Sequence, residues 1–272
     1  MSTAFTDASS IPVADLLSLA GRSAVVTGGA QGLGKAIALR LAEAGADVLI
    51  GDVNEDQAKA AAADIAGRYR VHAEGVHMDV TDPKSIRQAA SVAAGELRGI
   101  DIWVNNAGIF PSVPVLETPD DTWERVFAVN TRGVFNGSRE AAQHMSASGG
   151  GGVIINIVST AGFTGTAPGL SAYVGSKHAV RGMTKQMALE FAPMGIRVLG
   201  VAPTFVPTEG NTAAAAARPP KEASEATALM TNSLIGRMGT PDDIARVVLF
   251  CASDSASFMT GSTLLADAGQ TI

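Results

Sequence analysis

Along the chain, short runs of apolar residues alternate with longer stretches in which apolar positions recur every three or four residues. The short runs are SAVVTG at 23–28, DVLIGD at 47–52, EGVHMDV at 74–80, DIWVNNAG at 101–108, GVIINIVS at 152–159, IRVLGVAP at 196–203 and STLLADAG at 262–269. Most are nearly continuous in apolar character, the pattern of parallel strands buried on both faces. Between them, GKAIALRLAEAG at 34–45 sets Ile37, Leu41 and Ala44 at helical spacing and closes on Gly45 as a C-cap. This alternation predicts an α/β, Rossmann-like doubly wound fold: a seven-stranded parallel sheet with right-handed crossovers and helices on both faces. Ligands of such sheets bind beyond the carboxyl ends of the strands, so the residues found there carry the functional reading.

No proline-rich or charged linker divides the 272 residues. A domain near this size buries about three-quarters of the surface of its unfolded chain. The expected organisation is a polar extension at 1–20 followed by a single domain at 21–272. Two stretches differ from the rest. SASGGGG at 146–152 reads as a flexible loop feeding the fifth strand. The segment at about 204–235, with NTAAAAARPPKEASEA inside it, is long for a connection. It is either a surface insertion or a helical lid, and the strand end it leaves favours the lid.

A net charge of -6 argues against nucleic acid or an anionic membrane as partner. The first residues lack the basic region of a signal peptide. No run approaches the roughly 18 apolar residues of a membrane helix. Cys251 is the only cysteine, which excludes an internal disulfide and suits a reducing cytoplasm. The four histidines form no metal motif, and no metal site is expected.

TGGAQGLG at 27–34 lies between the first strand and the first helix. Gly28, Gly32 and Gly34 allow a tight turn and close backbone approach, and the helix start offers free N–H groups to a pyrophosphate; Gln31 and Leu33 share that turn. The spacing is G-x-x-x-G-x-G rather than the more common G-x-G-x-x-G. Asp52 ends the second strand, followed by Val53, where a carboxylate accepts hydrogen bonds from ribose hydroxyls and repels a 2′-phosphate. No lysine or arginine stands within the glycine turn, so NAD is favoured over NADP. The alternative for Asp52 is a cap on the next helix. Asp79 and Val80 end the third strand beside the expected adenine, and Asn105, Asn106, Ala107 and Gly108 end the fourth, where small residues admit a ribose.

With these residues in order, the chain resembles the short-chain dehydrogenase/reductase family in its compact single-domain branch, over roughly residues 20 to 270. The motifs are TGGAQGLG, DV at 79–80, NNAG at 105–108, Asn130, Ser159, YVGSK at 173–177 and APTFVPT at 202–208. The resemblance implies Tyr173 as acid/base and Lys177 as its activator and holder of the nicotinamide ribose. It implies Ser159 as the hydroxyl on the reacting oxygen and Asn130 as anchor of a proton-relay water. Taken alone, Asn130 would be an ordinary helix residue and Ser159 a strand-end cap. By the same resemblance Val206 and Thr208, after Pro203, hold the carboxamide. Phe110, Thr160, Phe163, Leu170 and Phe205 are expected in the substrate pocket, with Arg218 and Lys221 on the lid. Relatives are usually tetramers that dimerise through the helices carrying Asn130 and Tyr173, so a homotetramer or homodimer is expected. Thr204 and Ala268 depart from the pattern, each standing where the family usually has glycine.

The chemistry of the pair follows from its charges. An ammonium about 4 Å from a phenol, at an effective dielectric near 20, favours the phenolate by about 4 kcal/mol, or about three pKa units. Desolvation opposes this, so the figure is an upper bound. The expected function is NAD-dependent interconversion of a secondary alcohol and its ketone. The alternatives are an NADPH-dependent 3-oxoacyl thioester reductase and a non-catalytic NAD-binding regulatory protein.

Overall fold

The computed structural model describes residue 5 and residues 7–209 and 233–272. Arg218 and Lys221, with most of the expected lid, lie outside these. Seven parallel strands form one sheet in the order β3-β2-β1-β4-β5-β6-β7. They are β1 Ser23–Thr27, β2 Asp47–Asp52, β3 Ala73–His77, β4 Ile102–Asn105, β5 Gly152–Ile157, β6 Ile196–Pro203 and β7 Thr263–Ala266. Among the described residues the α-helices are α1 Gly32–Glu43, α2 Glu55–Arg68, α3 Pro83–Glu96, α4 Asp120–Phe127, α5 Gly133–Ser148, α6 Ser171–Phe191 and α7 Pro241–Ala252.

The central strands are apolar on both faces because each face is covered. Every residue of β1, β4 and β6 is buried. On one side, Ile37 and Leu41 of α1, Ile65 of α2 and Val248 of α7 pack on the sheet. On the other, Ile86 of α3, Met145 of α5 and Met187 of α6 do so. Gly45, one residue past the cap of α1, has φ 100°, the left-handed conformation that ends the helix and turns the chain into β2.

The loop expected at 146–152 begins later than its composition suggests. Ser146–Ser148 are the last turn of α5, closed by the Ser148 hydroxyl on the Met145 carbonyl and by left-handed Gly149. Between α4 and α5, residues Ala128–Arg132 form a π-helical turn. Chain order reverses between β1 and β4, which are neighbours in the sheet, and this is where such folds open a crevice. Among the described residues, no helix is long and apolar enough to cross a membrane.

Candidate active site

A cleft of about 1840 Å³ opens over the carboxyl ends of the strands at this reversal. At one end the glycine turn is fitted to its surroundings. A Cβ on Gly34 would fall 2.1 Å from the Gly28 carbonyl oxygen, and one on Gly28 would fall 2.9 Å from Ala107 Cα. The strand ends are also tied together. Asn106 Nδ2 donates to the Thr27 and Gly28 carbonyls at 3.0 and 2.9 Å, and the N–H groups of Asn106 and Ala107 donate to the Thr27 hydroxyl at 3.0 and 3.1 Å.

Asp52 and Val53 line the cleft at the end of β2. The Asp52 carboxylate accepts the N–H of Ala30 at 3.2 Å and that of Asn54 at 3.1 Å. It does not cap α2, because Asn54 does so through the Gln57 N–H. Asp79 accepts both the N–H and the hydroxyl of Thr81 at 2.8 Å, which fixes the chain as Asp79 and Val80 reach the cleft. Gln31, Gly32, Leu33, Gly108, Pro203, Val206 and Thr208 complete this part of the wall, with Thr208 packed against Gly32.

At the other end, Ser159, Tyr173 and Lys177 converge. Tyr173 and Lys177 lie one turn apart on α6, and Ser159 follows β5. Ser159 hydrogen-bonds the Tyr173 phenol and accepts the Ala161 N–H at 3.1 Å. Lys177 Nζ donates to the Ile157 carbonyl at 2.7 Å and lies 5.7 Å from the centre of the Tyr173 ring. Asn130, in the π turn, is fully buried. Its Oδ1 accepts the Ile109 N–H at 2.8 Å, and its Nδ2 donates to the Ile109 carbonyl at 2.8 Å and the Ser176 hydroxyl at 3.1 Å. Gly108 brings Asn130 and Lys177 to one space: a Cβ there would lie 3.4 Å from Asn130 Oδ1 and 3.8 Å from Lys177 Nζ.

The electrostatics correct the simple charge-pair expectation. In the protein alone, burial pushes the Tyr173 phenol up, and its bond with Ser159 only partly draws it back. Lys177 is lowered to about 8 by the same loss of water. The ammonium is held by the Ile157 carbonyl, and desolvation wins over the pair's attraction at both groups.

Around Tyr173 the cleft is walled by Phe110, Thr160, Leu170 and Phe205, and the Phe110 ring meets Tyr173 edge-on at 6.0 Å. Phe163 is not on this wall. It packs beside Val158 and Val180, with the Arg181 guanidinium 3.8 Å over its ring. Two parts of the cleft wall carry no motif in the sequence, the stretch Thr164–Gly169 and the segment Gln270–Ile272; the Thr27 tie and the Ser176 partner of Asn130 lie inside TGGAQGLG and YVGSK, but those motifs do not reveal the bonds they make.

A family model described as Enoyl-(Acyl carrier protein) reductase matches residues 28–271. The chain is 39% identical over 255 residues to 3beta-hydroxysteroid dehydrogenase 2 of Eggerthella lenta, covering 92% of this chain and 95% of that protein. It is 38% identical over 247 residues to cyclopentanol dehydrogenase of a Comamonas species, covering 91% and 96%. A crystal structure of a short-chain type dehydrogenase/reductase from Mycobacterium marinum superposes with a TM-score of 0.85 at 37% identity, covering 96% of this chain and 99% of that one. The chain belongs to the short-chain dehydrogenase/reductase family, oxidoreductases of CH–OH groups that typically bind a nicotinamide cofactor.

Proposed function

We propose that this protein interconverts a secondary alcohol and its ketone, with NAD as cofactor. The reading is carried by one observation: Ser159, Tyr173 and Lys177 meet at one end of a cleft whose other end presents Asp52. The residues present suit the cofactor. The Gly28–Gly34 turn is a cradle that a Cβ would fill, and both Asp52 oxygens are oriented by main-chain N–H groups. Among the described residues no lysine or arginine forms an ion pair with Asp52, so a 2′-phosphate there would meet an unneutralised carboxylate.

When bound, the oxidised nicotinamide supplies the hydride acceptor and a second positive charge beside the phenol. The chain's residues manage the oxygen and the proton. Ser159 donates to the reacting oxygen as negative charge develops on it. Tyr173 takes the hydroxyl proton in oxidation and returns one in reduction. Lys177 works against the phenol's desolvation in favour of the phenolate and would hold the nicotinamide ribose. A water between Asn130 Oδ1 and Lys177 Nζ, at the space beside Gly108, would carry the proton outward. The apolar wall of Phe110, Leu170 and Phe205 supports an apolar alcohol as substrate. Half-exposed Trp123 on α4 and Phe135 on α5 support self-association through those helices, as a dimer or tetramer.

A panel of secondary alcohols offered with NAD and with NADP tests the reading, followed by the absorbance of the reduced nicotinamide. The expected result is turnover with NAD and a kcat/KM at least about tenfold lower with NADP, since two like charges at contact distance cost more than about 1.4 kcal/mol. Equal or better rates with NADP, or no turnover of any alcohol, would overturn it.

A further inference from the structure

Part of the substrate wall is a turn that the chemistry above leaves unused. Asp267, buried below the cleft, accepts the N–H of Gly269 at 3.0 Å, the N–H of Thr271 at 3.0 Å and the Thr271 hydroxyl at 2.6 Å. The Leu234 N–H donates to the Ala268 carbonyl at 2.9 Å, and Ala268, at φ 54°, turns the chain back. These bonds hold Gln270 on the cleft wall, where its side-chain oxygen accepts from the Thr204 hydroxyl. Threonine is stiff about χ1, so the donor keeps its place. The family's usual glycine would supply neither the bulk nor the hydroxyl.

This pair has space on both sides. Thr204, Phe205 and Gln270 line the main cleft and also a second cavity of about 520 Å³. That cavity is lined mainly by the apolar Leu234, Ile235, Met238, Ile244, Val247 and Leu265, with the Arg237–Asp243 ion pair and Asp267 also on its wall. Thr204, Phe205 and Gln270, which line both spaces, stand between a substrate held at Tyr173 and this cavity, and Gln270 is carried by a turn anchored at Asp267.

We propose that Thr204 and Gln270 form a partition that closes the apolar cavity off from the substrate end, so that the enzyme selects compact secondary alcohols over those with a bulky apolar body. This inference rests on the alcohol-dehydrogenase reading above and adds the size class of the substrate. Without the pair, the two spaces merge, and a bulkier alcohol gains apolar contact.

The test compares kcat/KM for cyclopentanol and for a fused bicyclic secondary alcohol in the full chain with NAD. The variants are Thr204→Gly, Gln270→Ala and Thr204→Ser, the last keeping the hydroxyl. Wild type is expected to prefer cyclopentanol. Thr204→Gly and Gln270→Ala are each expected to raise the bicyclic-to-cyclopentanol ratio by at least about tenfold, the order of discrimination that shape in an apolar pocket provides. Thr204→Ser is expected to keep the wild-type ratio. A ratio unmoved in both of the first two variants, or moved as far by Thr204→Ser, overturns the partition. A wild type that turns over neither alcohol with either cofactor overturns the functional reading instead. The partition is then decided by the same ratio measured as dissociation constants of the two ketones, by calorimetry with cofactor present.

Discussion

Lys177 carries its charge where the fold gives it little water. It is 4% exposed, its ammonium donates to the Ile157 carbonyl, and burial lowers its pKa to about 8. The unfolded chain would hold that proton up to its ordinary value of 10.5. Between the two values the unfolded state binds more protons, so this residue's contribution makes stability rise with pH across the window. Below it, the folded state bears the full cost of the buried cation, on the order of 3 kcal/mol at about 1.4 kcal/mol per unit. Tyr173 does not blur this comparison: its raised phenol stays protonated, folded or unfolded, below its ordinary 10.0. Lys177→Met is therefore expected to gain stability relative to wild type near neutral pH, with the gain shrinking as pH approaches about 10. Urea unfolding of both proteins across that range checks it, and a difference independent of pH would contradict it. The same substitution should cost the enzyme its activity, so the residue exchanges stability for a charge the chemistry uses.

At the scale of elements, the π turn at Ala128–Arg132 matters most to the site. Turns of this kind widen a helix locally, and here one aims Asn130 at the chain leaving β4. The side-chain amide clamps both polar groups of Ile109 and reaches Ser176 on α6, so it links β4, the π turn and the helix of Tyr173. Asn130→Ala would leave these partners without it, at a cost of about 1–3 kcal/mol. A lower Tm together with a fall in kcat is the expected outcome, and an unchanged Tm would contradict the clamp. Such a turn has no signature in the apolar pattern, which is why Asn130 was legible only through the resemblance. β2 and β6 were readable to the residue because polar or turn positions bound their apolar runs. β3 was read too long: Met78 and Val80 are buried, but they belong to the loop that follows the strand and lines the cleft. Phe163 shows a related limit, since its distance from Ser159 suits the pocket while the backbone turns its ring toward Arg181.

For the whole molecule, the strand order decides what the separate motifs can do. Because β1 and β4 are neighbours, the glycine turn and the Asn106–Gly108 segment face one another, and β2 and β5 set Asp52 and Ser159 toward opposite ends of one cleft. That much was legible, since each of these residues sits at the carboxyl end of a strand that the pattern revealed. The Thr204–Gln270 wall was not, because a threonine and a glutamine 66 positions apart become partners only when the sheet and the Asp267 turn bring them together.

The central claim is that the Tyr173 phenol moves the proton while the rest of the cleft binds the cofactor. Removing one oxygen atom tests it: the Tyr173→Phe variant is compared with wild type for NAD affinity by calorimetry and for kcat/KM with a secondary alcohol. The account predicts that affinity stays within about twofold while kcat/KM falls by about 10² to 10⁴. Near-normal turnover by the variant at unchanged affinity would contradict it.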